Sequence, residues 1–284
     1  MFSARNLMTT PRSIPAWLAP IVEALELDQK RLVSFADIQA LRSDLGEKLV
    51  FDAVRELSRL GWLRRTGVKG TYEFMPGAAA GPYPSGDPWL VLRAELAIDR
   101  STLHAGANSA AWLLGYAERA PTPHIVVAQT DMWIPRPVRA TYRVLTTFPA
   151  PATQSANGVP VPTPAELFTE VAQLAPRLQL DAASGWLRRL LDDVRPVELT
   201  AALSERSPTT RARAGFLAEL VASPEHAEAI AALGHIGRGP FYTGPAGRRG
   251  VFSPRWRVYD SGHIAQESPP SPSVGRRATK STAK

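Results

Sequence analysis

Between residues 15 and 74 the apolar positions recur first at helical and then at strand spacing. Trp17, Leu18, Ile21, Val22 and Leu25 share one side of a 3.6-residue repeat. They follow Pro15, which suits a first helical turn because its missing N–H has no intrahelical partner there. Asp28-Gln29-Lys30 breaks the pattern. Ser34 and Asp37 have capping-box spacing, with Asp in place of the usual Glu, and open a short helix over Phe35–Arg42 with Phe35, Ile38 and Leu41 inward. Asp44 and Glu47 repeat that spacing ahead of a third helix to about Leu60. Its expected buried face is Leu49, Val50, Ala53, Val54, Leu57 and Leu60, and Gly61 stops it as the C′ residue. Two strand-like runs, Trp62–Arg65 and Thr71–Phe74, then flank Thr66-Gly67-Val68-Lys69-Gly70, where glycine supplies the positive φ of a tight turn. Helix, helix–turn–helix and hairpin in this order predict a winged helix-turn-helix, with the third helix as recognition helix and the hairpin as wing.

The pattern then changes. Residues 76–88 are a linker by their Pro and Gly content. Helices are expected over Trp89–Ile98 and His104–Tyr116, and strands over His124–Gln129 and Thr141–Thr147, with Asp131–Pro137 as a loop between them. Val159–Val161 is a short extended piece. From Thr163 the periodicity is helical: Pro164–Leu174, Ser184–Val194, Val197–Leu203, Pro208–Ala222 and Pro224–Leu233. Short strands are expected at Phe241–Tyr242, Val251–Phe252 and Trp256–Tyr259. Beyond about Ala265 the Ser/Pro/Arg/Lys-rich composition predicts a disordered tail. The fold class is therefore α+β, a winged helix (1–75) and linker (76–88) followed by a larger, mainly helical α+β domain (89–264) and a basic tail (265–284).

Charge narrows the functional reading. The 284 residues carry a formal net charge of +7, but residues 1–80 hold +2, residues 81–237 −2 and residues 238–284 +7. The excess thus sits at the end of the chain. From Lys30 to Lys69, however, nine basic and five acidic residues give a local +4. Lys48, Arg55 and Arg59 lie on the outer face of the third helix, with Asp52 among them, while Arg64, Arg65 and Lys69 decorate the wing. Forked guanidinium donors on a helix that fits the major groove are what base edges require, and mobile cations are what phosphates require. The same residues also suit a solvated helix with Lys48–Asp52 and Asp52–Arg55 pairs, and winged helices also serve as protein-contact modules.

Other chemistries find little support. With no cysteine there is no disulfide framework, thiolate metal site or cysteine nucleophile, which suits a reducing cytoplasm. No run is long and apolar enough to cross a membrane, and Met1–Arg12 lacks a signal-peptide core. Nucleophile-elbow, zinc-protease, phosphate-loop and dinucleotide motifs are absent; the Gly244–Gly250 cluster lacks a strand-to-helix setting. The histidines, 104, 124, 226, 235 and 263, have no metal-ligand spacing. No lysine stands between Lys69 and Lys280, which removes the usual lysine of a restriction-type nuclease and any Schiff-base lysine; arginine cannot replace an amine nucleophile because it stays protonated. No catalytic residue, cofactor or metal is expected. The rival readings are a nucleic-acid-processing enzyme with a winged-helix targeting arm and a winged-helix interaction scaffold.

Three stretches carry a family resemblance. Arg55-Glu-Leu-Ser-Arg-Leu-Gly-Trp-Leu63 runs into Val68-Lys-Gly-Thr-Tyr-Glu-Phe74; Ala105-Gly-Ala-Asn-Ser-Ala-Ala-Trp-Leu-Leu-Gly-Tyr116 follows; Arg211-Ala-Arg-Ala-Gly-Phe-Leu-Ala-Glu-Leu220 precedes an aromatic, Gly-rich end with Trp256. Over residues 15–260 this order resembles the AbiEi-type antitoxins, most closely their mycobacterial or actinobacterial branch. The resemblance implies an N-terminal winged helix and a C-terminal antitoxin domain. It further implies repression of the chain's own operon at promoter inverted repeats, and a neighbouring nucleotidyltransferase toxin countered without a stable complex. It carries the DNA role onto the outer face of residues 48–59 and onto Arg64, Arg65 and Lys69, and brings Arg211 and Arg213 into the family's Arg-rich helix. A single winged helix makes few base contacts, so pairing on a two-fold operator is expected.

Overall fold

A computed structural model describes residues 13–77, 86–98, 102–178, 180, 184–234, 236–244 and 250–260. The tail, the central part of the linker, Gly247, His235 and His263 lie outside the described residues. The chain divides into two compact units between Thr163 and Pro164.

The first unit opens with a three-helix, three-strand module. The Leu18 N–H donates to the Pro15 carbonyl at 2.9 Å, a turn that leads into α1 (Ala19–Leu27). Leu18, Ile21, Val22 and Leu25 are buried, whereas Trp17 is exposed. A strand not anticipated from the sequence, β1 (Leu32–Ser34), follows; only three residues long, it shows too little alternation to stand out. The Ser34 capping box on α2 (Phe35–Leu41) is present in both directions: the Asp37 N–H donates to Ser34 Oγ at 3.1 Å and the Ser34 N–H to Asp37 Oδ2 at 2.7 Å. The second expected box is not formed. α3 (Glu47–Arg59) starts from Gly46 with no side-chain cap, and Asp44 instead accepts two hydrogen bonds from Arg42 at 2.8 and 2.7 Å. An arginine two residues away outcompetes the helix N–H groups for that carboxylate because its fork meets both oxygens. Gly61, at φ 78, ends the helix as expected.

Strands β2 (Leu63–Arg65) and β3 (Thr71–Phe74) complete an antiparallel sheet ordered β1–β3–β2. Val50, Ala53, Val54 and Leu57 of α3 share one buried cluster with Ile21, Leu25 and Ile38, and Trp62 stacks on Phe74 with ring centroids 6.2 Å apart. Helix, strand, helix, helix and two-stranded wing are thus built on one apolar core.

The rest of the first unit is a small α/β layer. α4 (Leu90–Ile98) is followed by β4 (His104–Ala105) and α5 (Ala107–Leu113), so the single helix expected over His104–Tyr116 begins as a strand. Gly106, extended at φ −125, separates the two. β5 (Ile125–Gln129) pairs antiparallel with β4 and parallel with β6 (Arg143–Thr147). The expected loop Asp131–Pro137 gives way at Arg136 to α6 (Arg136–Thr141), which ends on the first residue of the expected strand and supplies the crossover that a parallel pair needs. β7 (Thr153–Ala156) and β8 (Val159–Pro162) form a hairpin turned by Asn157-Gly158, both at positive φ, a type I′ pattern. Tyr142 locks this layer: its hydroxyl donates to the Pro88 carbonyl at 2.8 Å and accepts the Leu92 N–H at 3.2 Å, and burial pushes its pKa up to about 12.

The second unit is helical: α7 (Pro164–Leu174), α8 (Ser184–Asp192), α9 (Pro196–Ser204), α10 (Pro208–Leu220) and α11 (Pro224–Ala232). A small sheet, β9 (Phe241–Tyr242), β10 (Val251–Ser253) and β11 (Val258–Asp260), is ordered β10–β11–β9. Trp256 is fully buried against Gly215 of α10, and its Nε1–H donates to Glu219 at 2.6 Å. Only glycine fits there, since a Cβ at residue 215 would stand 2.1 Å from the indole.

Candidate nucleic-acid interface

The amphipathic pattern of α3 fixes which side chains face outward. With Val50, Ala53, Val54 and Leu57 buried, Lys48, Arg55 and Arg59 share the opposite face, and all three are exposed. Leu49, expected in the core, is 49% exposed, because it lies about 100° from Lys48 at the edge of the buried stripe.

The wing is held by hydroxyl contacts rather than by length. Thr66 Oγ1 lies 2.7 Å from Thr71 Oγ1 and accepts the Val68 N–H at 3.2 Å, and Gly67 and Gly70 take positive φ. The Gly70 carbonyl accepts the Phe35 N–H at 3.2 Å, tying the turn to the start of α2. Arg65 and Lys69 are exposed on this frame.

The six cations singled out in the sequence fall into two groups. Lys48, Arg55, Arg65 and Lys69 make no salt bridge among the described residues, although Arg55 lies close enough to the Glu56 carboxylate to help hold it low. Arg59 and Arg64 each make one. Arg59 makes a forked pair with Glu56, at 2.8 and 2.5 Å, which holds the Glu56 carboxyl below its ordinary range and raises the guanidinium. Arg64 pairs with Glu73 directly across the β2–β3 ladder. Glu73 is buried, so withdrawing Arg64 would leave a carboxylate inside the protein without its counter-charge. Lys30 bonds Asp37 at 2.6 Å. Burial alone would raise the Asp37 carboxyl, but hydrogen bonds from Lys30 and Ser34 outweigh that and hold it low. Arg42 is likewise committed, to Asp44 and to the Trp17 carbonyl at 3.0 Å.

Two features are not marked as functional by the sequence pattern. Phe51 on α3 is 62% exposed. Its position three residues after Lys48 and four before Arg55 is the signal that places it on the outer side. In addition, the wing tip abuts α6: a Cβ at Gly67 would stand 3.8 Å from the Pro137 Cβ. This places the exposed Arg136 and Arg139 on the helix beside the wing. No periodicity reveals that neighbour, since seventy residues separate Gly67 from Pro137.

The arginines of α10 have a different setting. Arg211 donates to the Leu203 and Ser204 carbonyls at 3.2 and 2.8 Å, capping the end of α9. Arg213 donates to the Tyr242 carbonyl at 2.8 Å and the Gln173 carbonyl at 3.4 Å, and its burial brings its pKa down to about 10. His226 is satisfied by Ser223 and the Val194 carbonyl, each at 2.7 Å. Among the described residues, no three His, Asp or Glu side chains are grouped as a metal site, and no helix is long and apolar enough to cross a membrane.

Residues 104–220, from β4 to the end of α10, match the AbiEi antitoxin C-terminal domain, a regulatory family. Among solved structures, the chain is similar to the crystal structure of the RV2827C protein from Mycobacterium tuberculosis, with 25% identity and a TM-score of 0.73 over 90% of this chain and 94% of that one. No curated protein matches. The resemblance to AbiEi-type antitoxins and the α+β class with an N-terminal winged helix both stand.

Proposed function

We propose, from the AbiEi antitoxin C-terminal domain matched over residues 104–220 and the winged helix ahead of it, that this chain is a DNA-binding autorepressor and antitoxin of a toxin–antitoxin operon. The observation that carries the DNA role is the set of exposed cations that make no salt bridge among the described residues. Lys48 and Arg55 lie on the outer face of α3, and Arg65 and Lys69 lie on the wing. In this reading α3 enters the major groove, Arg55 meets base edges or phosphate, and the wing cations hold the flanking backbone. Arg59 and Arg64 contribute less, because each must first leave a carboxylate.

Two copies bind inverted repeats in the chain's own promoter, since one module reads too few base pairs for useful selectivity. The antitoxin-type region counters a nucleotidyltransferase toxin without a stable complex, in the cytoplasm, and the chain carries out no catalysis itself. The test is a mobility-shift titration of the promoter fragment against a scrambled fragment at about 150 mM salt, together with co-expression beside the adjacent toxin gene. The reading predicts selective retardation of the promoter and rescue of growth. Stable capture of a partner protein with no shift of any DNA would favour the scaffold reading. Metal-dependent cleavage or nucleotide transfer by the purified chain would favour the enzyme.

A further inference from the structure

Phe51 is out of place for a solvated helix. A phenyl ring 62% exposed gains nothing from the core, whose α3 contribution is complete with Val50, Ala53, Val54 and Leu57. It sits in the second turn of α3, in the N-terminal part from which recognition helices present side chains to base edges. Around the helix axis it lies about 40° from Arg55 and about 60° from Lys48, both on the same side, one a turn after it and one a turn before it, and neither makes a salt bridge among the described residues. Glu47, one turn back in the first turn of α3, lies about 40° away on its other side, and Asp52 about 100° away. A protein partner covering the ring would also have to match both cations beside it and Glu47 on its other side. A duplex accepts all three groups at once: phosphates or guanine edges take the charges, and the C5-methyl of thymine offers an apolar contact in the major groove.

We propose that Phe51 is a base-reading residue of α3 that selects thymine through its methyl group. The inference rests on the reading of this module as a DNA binder, and the experiment separates the two. The protected half-site is mapped on the DNA upstream of the chain's own reading frame, and each thymine in it is replaced singly by deoxyuridine, which removes only the methyl. Removal of one buried methyl corresponds to roughly a threefold to fivefold loss of affinity. The wild-type chain should show that loss at one thymine per half-site. Phe51→Ala should bind the thymine and deoxyuridine sites equally, with an unchanged salt slope and an unchanged melting temperature. Equal sensitivity to deoxyuridine in wild type and Phe51→Ala, or no sensitive thymine in the wild type, overturns the thymine role while leaving DNA binding intact. A change of oligomeric state in Phe51→Ala, with the thymine preference retained, overturns it in favour of a protein contact. A wild-type chain that retards no DNA overturns the underlying reading as well.

Discussion

Helices α3 and α10 both carry two or more basic side chains, yet they put them to opposite uses. On α10, Arg211 and Arg213 point at backbone carbonyls of α9, α7 and β9, and their donors are consumed by the fold. On α3, Lys48 and Arg55 point outward and make no salt bridge among the described residues. The difference lies in what surrounds each helix. α10 is enclosed, with Ala212, Ala214, Phe216, Leu217 and Ala218 buried, so a guanidinium there must find acceptors. α3 buries a single stripe, and its other face is open. The number of arginines does not distinguish these cases; the acceptors within reach do.

The comparison can be broken at several points. The largest effect should come from Gly215→Ala, which drives a methyl into the Trp256 ring. A loss of about 3 kcal/mol or more is expected, near the upper end for overpacking, and urea unfolding followed by tryptophan fluorescence would show it. A variant as stable as wild type would mean the indole is free to move. Arg213→Ala should cost about 1–3 kcal/mol by stranding the partly buried carbonyls of Tyr242 and Gln173, with no change in promoter affinity beyond that of the unfolded fraction. Arg55→Ala should do the reverse. Promoter affinity falls by about tenfold or more, while stability stays within about 0.5 kcal/mol, as for an exposed surface side chain.

Glu56→Gln sharpens the contrast within α3 itself. It releases Arg59 and removes a negative charge from the helix, so promoter affinity should rise by about twofold to threefold, read by fluorescence anisotropy. No rise would mean that Arg59 does not face the DNA. The smallest expected effect is a pH dependence at His124, which is packed between Trp89 and Trp112 with centroids 4.8 and 5.8 Å away. Burial holds its pKa in the folded chain below the ordinary 6.5. Between those two values the unfolded chain binds the proton and the folded chain does not, so stability is lost as pH falls below about 6.5. His124→Gln should flatten the dependence of the urea midpoint on pH over that window.

The helical repeat and capping signals make much of this architecture legible. Pro164–Leu174 is visible to both ends, and Ser34–Asp37 and Gly61 mark boundaries that local hydrogen bonds enforce. What stays hidden depends on distant partners or very short runs. β1 exists because β3 is there to pair with it. β4 breaks an expected helix because His104 and Ala105 meet Val127 and Val126 across a ladder. The β7–β8 hairpin is turned by Asn157-Gly158, the commonest kind of two-residue turn, ahead of a strand rich in proline. At the candidate interface the cations themselves are visible in the sequence. That Glu73 commits Arg64, that Glu56 commits Arg59 and that α6 borders the wing follows only from the fold.

The central claim concerns Lys48, Arg55, Arg65 and Lys69, and one measurement addresses them together. Promoter affinity is determined across a salt series for wild type and for the chain with all four changed to Ala, with melting temperature as the control for folding. Each phosphate that no longer meets a cation should make the slope of log K against log salt shallower by about 0.9. The account therefore predicts a flattening of roughly 2–4 and a matching fall in affinity with folding intact. Equal slopes and equal affinities for a folded variant would contradict it.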